Sequence, residues 1–396
     1  MNYFWANITE DRPFSFTLQY EPKEIALKKI SLSVINDLVT DNRVHKVAVS
    51  LQKMGFDPVL IGRLLPESQP IDRTYRTHRM KLIFRKGMLF YFEYNFRLFF
   101  YLIRVNPDVF VANDLDTLPA NYLASRIKRK PLVYDSHEYF TEVPELIGRP
   151  VVKTIWCWLE KLLVPRVDAA YTVCDSIAEI YTRLYEIDFK VVRNLPVCSQ
   201  ESPASSEIMI KPDGLKVILY QGALNLGRGI EAAIRSMQYI EGAVLWLAGD
   251  GDITNQLKQK VAELKLESKV IFLGRLPLAE LHQVTQLADL GLSLEEDMGL
   301  NYRFALPNKL FDYIQCGVPV LVSNLLEMRR IVEHYQVGLV AESHQRKELA
   351  ELMKIALFDQ DRINFWKQNS PQAASELCWE KEENILRQIY SPFQFS

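Results

Sequence analysis

The chain has 396 residues, with 47 Lys and Arg against 49 Asp and Glu, for a formal net charge of -2. Near-neutrality excludes a generic nucleic-acid binder, which needs a positive field to displace counterions from phosphates. A composition of 48% hydrophobic and 24% charged residues with 16 Gly and 19 Pro excludes disorder, collagen and coiled coil, and the length predicts two or three globular domains.

Residues 1–20 have no basic segment followed by an apolar run, so no secretory signal is expected and the protein is expected in the cytoplasm. The five cysteines, Cys157, Cys174, Cys198, Cys316 and Cys378, are scattered and lack C-x-x-C spacing. That is the pattern of reduced intracellular thiols, each serving as a small buried hydrophobe.

From the N-terminus, short β-branched runs predict strands at Ile30–Ile35, Pro58–Ile61, Asp108–Ala112, Pro131–Asp135, Ala169–Val173 and Lys190–Arg193. Amphipathic segments such as Val44–Met54 and Ser176–Leu184 fall between them. Inside this series lies a window, 73–104, with eight basic side chains against Glu93 alone. Its stretch Met88–Ile103 is too short and too interrupted to span a bilayer. As a helix it puts Leu89, Phe92, Phe96, Phe99 and Ile103 on one face and pairs Glu93 with Arg97. Two readings stand: a core helix with solvated basic flanks, or a surface that docks on anionic lipid.

Residues 198–214, rich in Ser, Pro and Glu, read as an interdomain linker. Beyond it the pattern resumes. Strands are predicted at Lys216–Gln221, Ala243–Gly249, Lys269–Gly274, Leu290–Leu294 and Pro319–Ser323, with helices at Ile230–Met237, Thr254–Leu264 and Ala279–Leu287. Buried apolar strands alternating with helices imply parallel sheets covered on both faces. The expected layout is two Rossmann-like doubly wound α/β domains, 1–205 and 206–370. A terminal segment, 371–396, carries a helix over Pro371–Tyr390 that is expected to return to the first domain.

Two motifs carry chemistry. Gly222, Gly227 and Gly229 follow a strand and open a helix, where backbone N–H groups and Arg228 suit a phosphate; a structural turn with a solvated Arg is the alternative. In Ala305-Leu-Pro-Asn-Lys-Leu-Phe-Asp312, Pro307 suits a helix start and Gly317 its end. Lys309 and Asp312 project from one face, fit for a diphosphate and a ribose diol, or for a plain i,i+3 ion pair. Asp114 and Asp116 form a D-x-D pattern, which reads as capping for the next helix rather than as a metal site. His137-Glu138 ends a strand; Thr141 stands where a zinc protease needs its second histidine.

Taken together, these segments resemble the glycosyltransferase group 1 family, retaining nucleotide-sugar transferases of GT-B fold, from about Val44 to Val340. The matching motifs are the loop Gly222–Ile230, the strand and glycine turn Leu245–Asp252 with Gly249, the strand Val270–Arg275, and the Pro307-x-Lys309 helix. The resemblance implies that Asp312 binds the ribose, that Arg228 and Lys309 meet the diphosphate with Gly222 against it, and that Arg275 ends the strand near the base; Gly249, Asn301, Tyr302 and Asn308 are further donor-site candidates. It places His137 and Glu138 by the donor sugar and its leaving phosphate. The family's second Glu is replaced by Phe304, with Glu296, Asn301 and Tyr302 as candidates to stand in, and its usual Arg after the first glycine is Ala223. The Pro-x-Lys subgroup is the nearer comparison.

The expected function is therefore transfer of a sugar from a nucleoside-diphosphate sugar (UDP by default, GDP as an option) to a saccharide or polyprenyl-linked saccharide. It would proceed with retention and without metal or other cofactor. Asp37 and Asn42 are acceptor-side candidates. The rival expectations are an epimerase or hydrolase of the same fold, and a non-catalytic binder of sugar nucleotides or polysaccharide.

Overall fold

The computed structural model describes residues 27–39, 41–198 and 211–394. The reading of residues 1–20 and most of the 198–214 linker fall outside them.

Seven strands form the first sheet: β1 (Lys28–Asp37), β2 (Phe56–Leu64), β3 (Arg76–Lys81), β4 (Val109–Asn113), β5 (Leu132–Ser136), β6 (Ala169–Thr172) and β7 (Phe189–Val191). Six form the second: β8 (Lys216–Gln221), β9 (Ala243–Ala248), β10 (Val270–Gly274), β11 (Leu290–Ser293), β12 (Val320–Ser323) and β13 (Gly338–Ala341). The orders are β3-β2-β1-β4-β5-β6-β7 and β10-β9-β8-β11-β12-β13, and every pairing is parallel. The order reverses between β1 and β4 and again between β8 and β11. In doubly wound sheets such switch points open the crevice that holds a ligand.

β4, β5, β9 and β12 are buried along their whole length, as a sheet with helices on both faces requires. Two strands were not foreseen, and both are sheet edges. β3, sequence RTHRMK, is largely solvated; β13 has four residues, three of them only partly buried. An edge strand covers less core and carries a weaker apolar signal.

The chain closes with two helices instead of one. Gln360–Glu376 contains Pro371 and Trp379–Tyr390 follows after a break. Ala373 and Leu377 lie in the core of the second domain, so the return to the first domain begins at Trp379, later than residue 371. Trp379, Leu386, Ile389 and Tyr390 then pack with Ile30, Leu32 and Val44 of the first domain. The Trp379 indole N–H donates to Ser50 Oγ at 2.9 Å, and its ring lies 4.8 Å from the Lys46 ammonium. Because the side chain is 3% exposed, Trp379→Ala should destabilise the first domain by about 3 kcal/mol. A lowered urea midpoint followed by far-UV circular dichroism checks this.

Candidate active site

A cleft of about 440 Å³ opens between the two switch points. From the first domain it is lined by Asn36, Asp41, Asn42, Arg43, His137 and Glu138, and from the second by Arg228, Asn301 and the run Phe304–Asn308.

The first wall is built on Asp135, the penultimate residue of β5, which has no exposure to solvent. A carboxylate so placed needs charge compensation. Arg43 supplies it from the helix Asn42–Lys53, with Nη2 at 2.7 Å from Oδ1 and Nε at 3.2 Å from Oδ2. Burial alone would raise the Asp135 pKa, but Arg43 and His137 hold it below the usual range. His137 stands between two carboxylates: Nε2 lies 3.2 Å from Asp135 and Nδ1 lies 3.2 Å from Asp114. Burial opposes its charge, yet Asp114 and Asp135 outweigh burial and push its pKa up to about 9. That shift favours the imidazolium at neutral pH, with each ring nitrogen facing a carboxylate.

Asp114 does not cap the following helix. Its carboxylate accepts from the His137 backbone N–H at 2.7 Å, while Thr117 occupies the cap position of helix Leu118–Lys128. Its φ of 63° is costly for a side chain with a Cβ; the Asp114 N–H to Asp135 carbonyl bond, 2.8 Å, helps to hold it there. Asp116 is also buried, and its carboxyl is pushed well up by burial and by neighbouring Asp114 and Glu138.

The second wall repeats the plan with different residues. Glu295, two residues beyond β11, has no exposure and pairs with Lys309 at 2.7 Å and Arg228 at 3.6 Å. Lys309, 8% exposed, also lies 4.0 Å over the Tyr220 ring. Arg228 is one-third exposed and sits over the Tyr302 ring at 5.5 Å. Two cations on one carboxylate leave one positive charge in surplus beside the cleft. Asp312 accepts from Gln221 Nε2 at 2.8 Å; burial pushes its carboxyl up to about 6 against the opposing effects of Lys46 and Gln221.

Glycine is demanded where the backbones close up. A Cβ at Gly249 would lie 1.9 Å from the Gly222 carbonyl, and one at Gly229 would lie 2.0 Å from that of Leu294; all three glycines have positive φ. Other sequence candidates scatter. Arg275 is 80% exposed and faces Asp250 at 3.8 Å, away from the cleft lining. Asn301 bridges the domains, accepting from the Tyr139 N–H at 3.0 Å and donating to Glu138 at 3.2 Å. Phe304 packs on the core of the first domain. Glu296 lines a separate hollow with Glu231, Arg235 and His344.

Residues 202–373 match the family "Glycosyl transferases group 1" and residues 41–195 match "Glycosyltransferase Family 4". The second half of the chain belongs to the group 1 glycosyltransferase family, and both halves match glycosyltransferase families. It is 26% identical over 195 residues to the lipopolysaccharide core biosynthesis glycosyltransferase LpsD of Rhizobium meliloti, covering 48% of this chain and 50% of that one. Over 158 residues it is 27% identical to the chitobiosyldiphosphodolichol beta-mannosyltransferase of Debaryomyces hansenii, 38% of this chain and 32% of that one. The chain thus matches half or less of the length of these curated relatives. The sucrose-phosphate synthase structure from Thermosynechococcus elongatus superposes with a TM-score of 0.76 at 16% identity, covering 92% of this chain and 98% of that one. Anabaena HepE in complex with UDP does so with 0.70 at 15%, covering 92% and 100%. The fold is GT-B.

In this family member three site residues escaped sequence reasoning in different ways. Arg43 sits in an ordinary helix start, and only tertiary pairing makes it buried. Glu295 is one of two adjacent acids beyond β11, and only burial against Lys309 and Arg228 separates it from Glu296. Asp114 was visible as part of a D-x-D pattern, but its partner His137 lies on another loop.

The His137 charge makes stability pH-dependent. Its folded pKa of about 9 exceeds the ordinary 6.5, so its contribution is complete below pH 6.5 and is lost as pH rises through 9. The stability of the wild type relative to His137→Asn should therefore decline across that window. Paired urea titrations at several pH values check the difference.

Proposed function

We propose that this glycosyltransferase moves a sugar from a nucleoside-diphosphate sugar, UDP-linked by preference, to a saccharide or lipid-linked saccharide, with retention of configuration. The observation that carries the reading is the surplus positive charge of the Glu295–Lys309–Arg228 cluster at the switch point of a GT-B cleft. As the glycosidic C–O bond breaks, negative charge grows on the departing diphosphate. Preorganised cations stabilise that charge without reorganisation cost. Arg228, which lines the cleft, makes the direct contact, and Lys309 acts through the shared carboxylate. Asp312, once ionised, accepts from the ribose diol, and Gly222 and Gly249 allow close backbone approach. The chemistry is proposed to need no divalent metal. The UDP complex of the HepE neighbour and the lipopolysaccharide and dolichol relatives support the donor and acceptor classes.

Arg228→Ala should lower kcat by about 100-fold, and Asp312→Ala should raise the donor KM by roughly tenfold or more. Because Asp312 has a pKa of about 6, wild-type donor affinity should fall below pH 6, and Asp312→Ala should lose that dependence. Steady-state kinetics with UDP-glucose and with other UDP- and GDP-sugars, each in EDTA, test the assignment. Normal donor kinetics in both variants, abolition by EDTA, or product formed without acceptor would each overturn a stated part of it.

Peripheral association with an anionic membrane belongs to the same proposal. Helix Gly87–Val105 buries Phe90, Tyr94, Leu98 and Leu102, so the Leu89–Phe92–Phe96 face turns outward. Phe92 is 68% exposed, and Met88, Leu89, Phe96 and Phe100 are also exposed. Val151, Ile155 and Trp158 stand exposed on the helix Pro150–Leu163, which is held beside it by the Tyr91–Trp156 ring contact at 5.2 Å. Arg85 and Lys86 precede the first helix and Arg104 closes it, giving apolar anchors with a basic rim. Among the described residues no helix is long and apolar enough to cross a membrane. Sedimentation with vesicles containing phosphatidylglycerol should capture the protein, and Phe92→Glu/Phe96→Glu should release it. Equal capture by neutral vesicles would refute the electrostatic part.

A further inference from the structure

The two chain segments that connect the domains run side by side. The first leaves β7 and, among the described residues, runs to Cys198; the second runs from Leu377 to Glu382. Trp379 N–H donates to the Pro196 carbonyl at 2.8 Å. Arg193 pairs with the buried Glu382 at 3.0 Å. Cys198 N–H donates to Glu380 Oε2 at 3.0 Å.

At the end of this ladder two thiols and a carboxylate converge. One potential ligand atom from each of Cys198, Cys378 and Glu380 lies within 4.8 Å of the others, although the cysteines are 180 positions apart in sequence. Two sulfurs on one tetrahedral Zn²⁺, at about 2.3 Å each, stand roughly 3.8 Å apart, so small side-chain rotations would close the set on an ion. Cys378 is buried, whereas Cys198 is half-buried and Glu380 exposed, which gives an ion a route in from solvent. Without a cation the grouping is unfavourable to charge. Burial, the Cys378 thiol and Glu380 push the Cys198 thiol up to about 12. A bound cation reverses that balance by taking both sulfurs as thiolates.

We propose that Cys198, Cys378 and Glu380 form a binding site for a thiophilic divalent cation of the Zn²⁺ class, with water as fourth ligand. Two sulfur ligands favour Zn²⁺ over Mg²⁺ or Ca²⁺. Binding releases the two thiol protons and ties the two interdomain segments together through metal–sulfur bonds. None of the three residues lines the cleft, so the site does not depend on the donor assignment.

The test uses the whole protein, reduced with a phosphine, stripped with a chelator and desalted, then titrated with Co²⁺ as a spectroscopic probe. One equivalent should produce thiolate-to-cobalt charge-transfer absorption and the visible bands of a tetrahedral centre, both abolished when Zn²⁺ is added. Cys198→Ser should remove the charge-transfer band or weaken binding by at least about 100-fold, beyond what loss of an outer hydrogen-bond partner costs. Glu380→Gln, at an exposed position that keeps an acceptor for the Cys198 N–H, should weaken binding by about tenfold. Circular dichroism confirms the fold of each variant. An absent band, or one unchanged in both variants and therefore due to Cys157, Cys174 or Cys316, would overturn the proposal.

Discussion

The buried carboxylate of Asp135 is the constraint around which the first half of the molecule is arranged. A charge with no solvent must be met by opposite charge, and removing one partner of such a pair costs several kcal/mol. Arg43 meets it from the helix after β1, and His137 meets it from the loop after β5. Arg43 also donates to the Val192 carbonyl at 2.8 Å, where the chain begins to leave the domain. One residue thus connects the cleft wall to the interdomain crossing. The left-handed backbone at Asp114 is tolerated because the same cluster holds it on both sides.

The second domain has the same logic with a different outcome. Glu295 takes the part of Asp135, and Lys309 and Arg228 take the parts of Arg43 and His137. On the first wall Asp114 offsets the remaining positive charge, whereas among the described residues no second acid pairs with the two cations around Glu295. The two walls therefore differ in charge although each grows from a buried carboxylate near the carboxyl end of its sheet. In the proposed reaction that asymmetry would favour seating the anionic leaving group against the second domain.

Inner strands were legible in the sequence because burial on both faces forces continuous apolar runs, as in Phe110–Ala112 and Val244–Leu247. Edge strands β3 and β13 were not, since solvent relaxes that demand. The glycine loop, the Pro307-x-Lys309 helix and the His137 loop could be found because each is local in sequence. The Asp114–His137–Asp135–Arg43 network and the Glu295 cluster could not, because their members come from separate elements joined only by folding. The aromatic helix shows a further limit. Its sequence carries more than one apolar face, and periodicity alone does not decide which face turns inward; the Phe90–Tyr94–Leu98 face does.

The paired crossings also constrain motion. Two rigid bodies joined by a single strand can swing, twist and slide. Joined by two adjacent strands that are bonded to each other, they retain chiefly one rotation, about the line through both attachments. Opening the cleft along that rotation would part Asn301 from Tyr139 and Glu138, and would part Ser176 from Glu327, whose backbone-to-carboxylate bond is 3.1 Å. An opening and closing of the cleft about that line would follow nearly the same arc each time, and the two walls would return to the same register.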